Sequence, residues 1–534
     1  MTLPVSASRP SRRLVLQGIG ASIALLSTTA LTGPGFAQSE ASESFAFSFD
    51  DLSARMRDTA AGPYEHAAFK MPELFAGLDY DAYRKIQYRP GRGKWADLNA
   101  GFQVQAFHLG WLFPEPIKLY ELADGKATPF SFASADFEYH DTALGAEAAK
   151  VDFPGVAGFR LNYPLNTPDK VDELVSFLGA SYFRALGRDN LYGQSARGLL
   201  LNSWLEGPEE FPRFSEFYLE RPTAGAPLVL YAALDSQSVT GAYRFEITPA
   251  NDGEQATIMD VTARLFFRSD VEQLGVAPLT SMFLYAETNR NNFDDYRPQV
   301  HDTNGLSITR ETGETMWRAL DNVAARGDSY FWENNPRAFG LDQRGRDFET
   351  YQDAGAHYEL RPSARVEPVG DWGQGNIRLI EVPSTLEVDD NIVAFWVPAD
   401  PVKAGQEREY RYKLLWGNLV PDGKALAYVV ETRAGAGGVS GVTNAHNLRK
   451  FVVDFKGGAL ESWNPETPPD VLANVSSGTI KTSTVSKIAT NGVWRLVIDV
   501  EASGEPAPME LKAYLVGGGK QLTETWLYQW RAEV

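Results

Sequence analysis

Short apolar runs, each closed by Gly, Pro, Asp or Asn, recur along the whole chain, and they limit its fold more than any other feature. Leu228–Leu234, Tyr243–Ile247, Ala263–Phe267 and Ile392–Val397 are examples. Runs of this length between turn formers read as β-strands. Helical spacing is sparse. Phe49 to Thr59 reads as one helix. A longer one is expected from Pro168 to Leu186, with Thr167 as N-cap and Pro168 at the first helical position. Val171, Leu174, Val175 and Leu178 then fall at helical spacing, and Gly187 follows as a stop. The fold class expected is all-β. With 534 residues the chain exceeds one ordinary core, so two domains are the default.

Pro and Gly cluster from Pro398 to Gly405 and the apolar pattern stops there, so a linker is expected at 399–408. A large multi-stranded β-sandwich would occupy 38–398. Beyond the linker, Tyr410–Trp416, Ala425–Glu431, Phe451–Phe455, Val493–Val500, Met509–Leu515 and Thr523–Trp530 are regularly spaced strand candidates. That rhythm suggests an immunoglobulin-like sandwich over 409–534. At the other end, Ser11-Arg12-Arg13-Leu14-Val15-Leu16 is a twin-arginine pattern, followed by a mildly apolar run from Gly18 to Leu31. Gly35-Phe36-Ala37 supplies small residues for cleavage. A signal peptide over 1–37 and a periplasmic mature chain from Gln38 are expected.

Composition excludes several chemistries. Without cysteine there is no disulfide, thiolate metal site or cysteine nucleophile. None of the six histidines forms an HExxH or i, i+4 pair, so neither zinc nor any other cofactor is expected. A net charge of −19 without a basic stripe argues against nucleic acid. The 12 Trp, 22 Tyr and 30 Phe fill strand cores first, and a smaller set lining a cleft would suit a sugar ring.

Glycosidic hydrolysis commonly uses two carboxyl groups, one to protonate the leaving oxygen and one to activate water or attack the sugar. Asp302 lies in the turn sequence His301-Asp302-Thr303-Asn304-Gly305, where on residues alone it reads first as a turn former. Asp390 precedes the apolar strand Asn391-Ile392-Val393-Ala394-Phe395-Trp396. An acid at the mouth of such a strand is open to desolvation, which would favour its protonated form. Arg344, Arg346, Tyr351, Asp353, Tyr358, Arg361, Trp372 and Glu387 are of sugar-binding types, since Arg and carboxylates pair with vicinal hydroxyls. The same groups also suit an ion-pair network beneath a loop.

The stretches DYRPQVHDTNGL, NNPRAFGLDQRGRDFETYQD and GDWGQGNIRLIEVPSTLEVDDNIVAFWVP, all between Leu279 and Pro398, strongly resemble the periplasmic glucans biosynthesis proteins of the G/D type. The likeness runs from about Phe45 to the C-terminus, and the twin-arginine pattern favours the D type. It implies a large sandwich similar to galactose mutarotase, followed by an immunoglobulin-like domain. It also implies an inverting hydrolase of β-1,2-linked glucan, in which Asp390 is the general acid and Asp302 the base. Two other functions share these residues: a transglycosylase that cyclises or branches glucan, and a non-catalytic glucan-binding biosynthesis factor. The partners so implied are β-1,2-glucan, the membrane glucan synthase and a second copy of the chain.

Overall fold

Alternation within the strands explains how they pack. In Leu228–Asp235, Leu228, Leu230, Ala232 and Leu234 are all buried on one face, as the two-residue period of a strand requires. A computed structural model describes residues 44–66, 68–421, 423–439, 441, 447–503 and 507–531. The expected signal segment and its twin arginines lie outside these residues.

Most strands join two large sheets of sixteen and ten strands among the described residues. Their facing sides enclose one core rich in stacked and edge-on rings, including Phe159, Phe177, Phe183, Phe214, Phe217 and Phe245. The all-β expectation holds, and the layers are those of a sandwich. A four-stranded sheet of Tyr428–Ala436, Leu448–Lys456, Trp494–Glu501 and Thr479–Lys487 packs over the C-terminal strands. A second core lies there around Phe451, Phe455, Trp494, Leu511 and Trp526.

The helix at Phe49–Ala60 forms as expected. Ser48 caps it by accepting from Asp51 N at 3.1 Å, and Leu52 and Met56 seat it on the outer face of the sixteen-stranded sheet. The expected helix from Pro168 to Leu186 is instead strand Lys170–Leu178 followed by strand Tyr182–Ala185. Pro168 and Asp169 are the turn of a hairpin, since Thr167 pairs with Lys170 and Phe159 with Phe177. Proline fixes the same φ at the first position of a helix and at the second of a turn. Burial of Val175 and Phe177 against the opposing rings selects the strand.

The expected linker at 399–408 is also corrected. This segment crosses from one layer to the other. Ile392–Pro398 lies in the ten-stranded sheet, and Glu407–Gly417 is hydrogen-bonded between Thr257–Phe267 and Ser363–Val369 in the sixteen-stranded one. Val271 N donates to Val402 O at 3.1 Å, which ties the crossing down midway. Pro and Gly mark a change of sheet here. The second core is built mainly from Ala427 onward, and it also takes in Trp317 and Ala319 from the first part of the chain. Strand Thr315–Ala319 pairs in parallel with Thr525–Trp530, so one sheet runs through both cores.

Candidate functional site

The two carboxylates singled out in the sequence hang from one short backbone segment, Met282–Phe283. Asp302 N donates to Met282 O at 2.8 Å, and Phe283 pairs with His301 across a small two-stranded ribbon. On the other side of Phe283, the side chain of Asn391 replaces a strand. Its Oδ1 accepts from Phe283 N at 2.8 Å, and its Nδ2 donates to Phe283 O at 2.9 Å and Val382 O at 3.0 Å. Asp390 is the neighbour of that clamp. Two strand spacings thus separate the backbones of Asp302 and Asp390, ~10 Å.

Buried polar groups fix this frame. His301 is fully enclosed; its ring stacks on Phe283 at 5.4 Å, and its Nε2 meets Gln299 Oε1 at 2.8 Å. Burial pushes the imidazole down to about 3, so it is neutral at ordinary pH. Gln343 Nε2 donates to His301 O at 2.9 Å and Tyr358 O at 3.2 Å, joining the Asp302 turn to the Tyr358 turn. Thr303 and Ser281 share a hydroxyl hydrogen bond of 2.7 Å directly behind Asp302.

Asp302 itself is 5% exposed and faces Arg361, with Nη1 3.6 Å from its Oδ1. The Arg361 guanidinium lies 5.2 Å from the Tyr358 ring centroid. It also donates to Tyr192 O and, at 3.1 Å, to Ala356 O. Tyr358 Oη donates to Glu387 at 2.6 Å, and burial followed by the Glu387 charge raises the phenol. Glu387 pairs with Arg297 at 2.5 Å, and the same guanidinium takes Asp295 at 2.6 Å and Asp353 at 2.7 Å. Its hydrogen bonds hold Asp295 down at about 2 and lower Glu387. Burial opposes ionisation of Asp353, but the amides of Ala356 and Gly355, with Arg297, outweigh it and lower that carboxyl too. Asp302, Arg361, Tyr358, Glu387, Arg297 and Asp353 therefore form one connected polar surface.

Asp390 is half-buried, more open than its position before an apolar strand suggested. Its neighbour Asp389 turns into the loop and accepts from Ser384 Oγ at 2.9 Å.

Of the residues expected to bind substrate, Asp353, Tyr358, Arg361 and Glu387 converge. Arg346 stands one step behind. It donates to Arg361 O at 2.5 Å and Glu359 O at 3.3 Å, and burial lowers its guanidinium to about 10. Three others are corrected. Arg344 pairs with Glu524 at 2.5 Å, donates to Val429 O at 2.7 Å and lies over Trp317, joining the two cores. Tyr351 is fully buried between His301 and Tyr358. Trp372 packs on Trp396, Tyr410 and Tyr412 in the sandwich, with its indole N–H on Arg411 O. Each is committed to protein partners. Arg297, Asn391 and Gln343 were missed. Arg297 and Asn391 stand inside the two aspartate motifs themselves, and that placement was the available signal.

The fold and this surface define an all-β protein with a carboxylate- and arginine-rich site mounted on a two-sheet sandwich. The description "periplasmic glucan biosynthesis protein, MdoG" matches residues 47–530. The chain is similar to glucans biosynthesis protein G of Cereibacter sphaeroides, with 51% identity over 99% of each chain. It is similar to glucans biosynthesis protein D of Xylella fastidiosa, 42% identical over 91% of this chain and 90% of that one. Glucans biosynthesis protein G of Ralstonia nicotianae is 40% identical over 92% and 97%. The chain belongs to the periplasmic glucan biosynthesis family, and its role lies in making osmoregulated periplasmic glucans. Among the described residues no helix is long and apolar enough to cross a membrane.

Proposed function

We propose that the protein is a periplasmic glycoside hydrolase that cleaves linear β-1,2-glucan within the chain, with inversion at the anomeric carbon. The observation that supports this most is the shared Met282–Phe283 anchor, which brings Asp302 and Asp390 to one frame from segments almost 90 residues apart. Asp390 stands at the more open position and protonates the departing glycosidic oxygen. Asp302, oriented by Arg361, accepts the proton of the attacking water. Backbones ~10 Å apart leave room for the separation of roughly 6.5–9.5 Å between carboxyl groups that suits a water between base and sugar. Glu387, Asp353, Arg297 and Tyr358 then supply acceptors and donors for sugar hydroxyls next to the reacting bond. The twin arginines, Arg12 and Arg13, carry export, and the membrane glucan synthase supplies the nascent chain.

The test is to incubate the mature protein with linear β-1,2-glucan and follow product size by mass and product anomer by NMR. Shortened chains that first appear as α-anomers support the reading. Cyclic products, each one water lighter than the linear chain of the same length and accompanied by the released reducing-end fragment, would make it a transglycosylase. Unaltered glucan that nevertheless binds would leave the non-catalytic factor. Cell fractionation of a variant with both Arg12 and Arg13 replaced by Lys checks the route, and undiminished periplasmic protein would refute it.

A further inference from the structure

Strand Gly327–Asn334 closes one edge of the ten-stranded sheet and pairs there with Gln374–Glu381. Its side chains divide sharply between the two faces. Ser329 and Glu333 are buried toward the sixteen-stranded sheet, where Glu333 pairs with Arg310 at 3.0 Å and Gln529 reaches Ser329 at 3.4 Å. On the outer face Tyr330 and Trp332 are 53% and 55% exposed. A tyrosine and a tryptophan two residues apart on one strand stand about 7 Å from each other on the same side.

Tyr330 is braced from below. Arg378 lies opposite it, with the guanidinium 5.2 Å from the ring centroid. Arg378 is in turn immobilised by a two-point bond to Asp328 at 2.8 and 2.6 Å and by Gln273 at 2.6 Å and Ser203 O at 2.8 Å. An aromatic ring propped on a fixed cation, on a strand whose other face is ion-paired, gives up little freedom when a ligand covers it. Asn376, half-buried, lies opposite Trp332. The surface is thus two aromatic faces beside an amide, with the buried Arg378 guanidinium beneath one ring. A protein partner favours a contiguous apolar patch, and an anionic membrane is disfavoured by a chain of net charge −19. A sugar chain, with apolar ring faces between hydroxyls, fits both the rings and the polar groups.

We propose that Tyr330 and Trp332 form a second glucan-binding platform, outside the carboxylate site, that holds a neutral glucan chain by stacking. Ile392, two residues from Asp390, lies opposite Glu381, which lies opposite Gly327 on the platform strand. The backbone of Tyr330 is therefore ~14 Å from that of Ile392, at about 3.3 Å per residue along the strand and about 4.8 Å between strands, with the platform on the outer face of this edge strand and Ile392 on the inner face. One long chain spans that distance, whereas a short oligosaccharide at the carboxylates does not require it. The platform's role in retaining chains rests on the reading of the protein as glucan-active.

The test uses the full mature protein with linear β-1,2-glucan and with a short β-1,2-oligosaccharide, comparing wild type with Tyr330→Ala/Trp332→Ala and with Tyr330→Phe/Trp332→Phe. Affinity electrophoresis in glucan-containing gels should show binding of the long chain weakened by roughly tenfold or more in the alanine variant and largely kept in the phenylalanine one. Turnover of the short oligosaccharide and the thermal midpoint should stay at wild-type values. Equal long-chain affinity in wild type and alanine variant would overturn the platform. So would a change in sedimentation mass accompanying the loss, because it would make the strand a contact between copies. If wild type neither binds nor alters glucan, the reading of the function fails instead.

Discussion

Replacing Arg297 by Met removes one guanidinium that serves three carboxylates while keeping most of the side-chain volume. Arg297 is well covered and meets Asp295, Asp353 and Glu387 at 2.5–2.7 Å. Taking away one partner of a buried ion pair costs about 3–5 kcal/mol. Glu387 is 38% exposed in its side chain, so water screens part of that, and we expect a loss of about 2–3 kcal/mol at pH 7. The pH dependence is the sharper signature. All three acids are lowered below their ordinary values, Asp295 to about 2. Their contribution is complete above the unfolded carboxylate range, near pH 4, and fades as pH falls through the folded values. In Arg297→Met three clustered acids lose their counter-charge, and protonation relieves them. The urea midpoint of the variant should therefore lie well below wild type at pH 7, and the gap should narrow between pH 5 and pH 3. A gap that stays constant over that window, or no gap at pH 7, would show that Arg297 acts by packing or not at all.

Asp390→Asn and Asp302→Asn should each lower turnover of β-1,2-glucan by about 100- to 10,000-fold with the fold intact by circular dichroism. A substrate with an activated leaving group should partly restore Asp390→Asn and leave Asp302→Asn inactive; wild-type rates in both would reject the pair. Asn391→Ala strips the partners from Phe283 N, Phe283 O and Val382 O. It should cost about 3–5 kcal/mol, read from denaturation midpoints, because each buried unsatisfied group costs about 1–3 kcal/mol. A fragment beginning at Gln406 starts with a strand whose two neighbours, Thr257–Phe267 and Ser363–Val369, are left behind, and it lacks Trp317 and Ala319 from its core. It should be poorly folded, and a sharp cooperative melt of that fragment would show that the second core does not need the first part of the chain.

The elements legible in the sequence were those whose signal is local. The helix read from Phe49 to Thr59 and the strand read from Ile392 to Val397 each lie within a dozen residues and need nothing distant to decide them. The turn at Pro168 failed because proline serves a helix start and a hairpin equally well, and the deciding partners, Phe159 and Phe183, act through the sheet. The segment at 399–408 failed for a related reason. Pro and Gly report that the backbone turns there, but a turn between domains and a turn between layers of one sandwich have the same composition. At the site the same limit appears in side chains. Arg344 and Arg361 sit in equally polar runs, yet one neutralises Glu524 beneath Trp317 and the other faces Asp302. An arginine's type fixes that it seeks a carboxylate. Which carboxylate it finds depends on the parallel pairing of Thr315–Ala319 with Thr525–Trp530, more than 200 residues apart. That pairing carries Glu524 to Arg344 and so commits Arg344 to the join between the two cores, while Arg361, beyond its reach, is left facing Asp302.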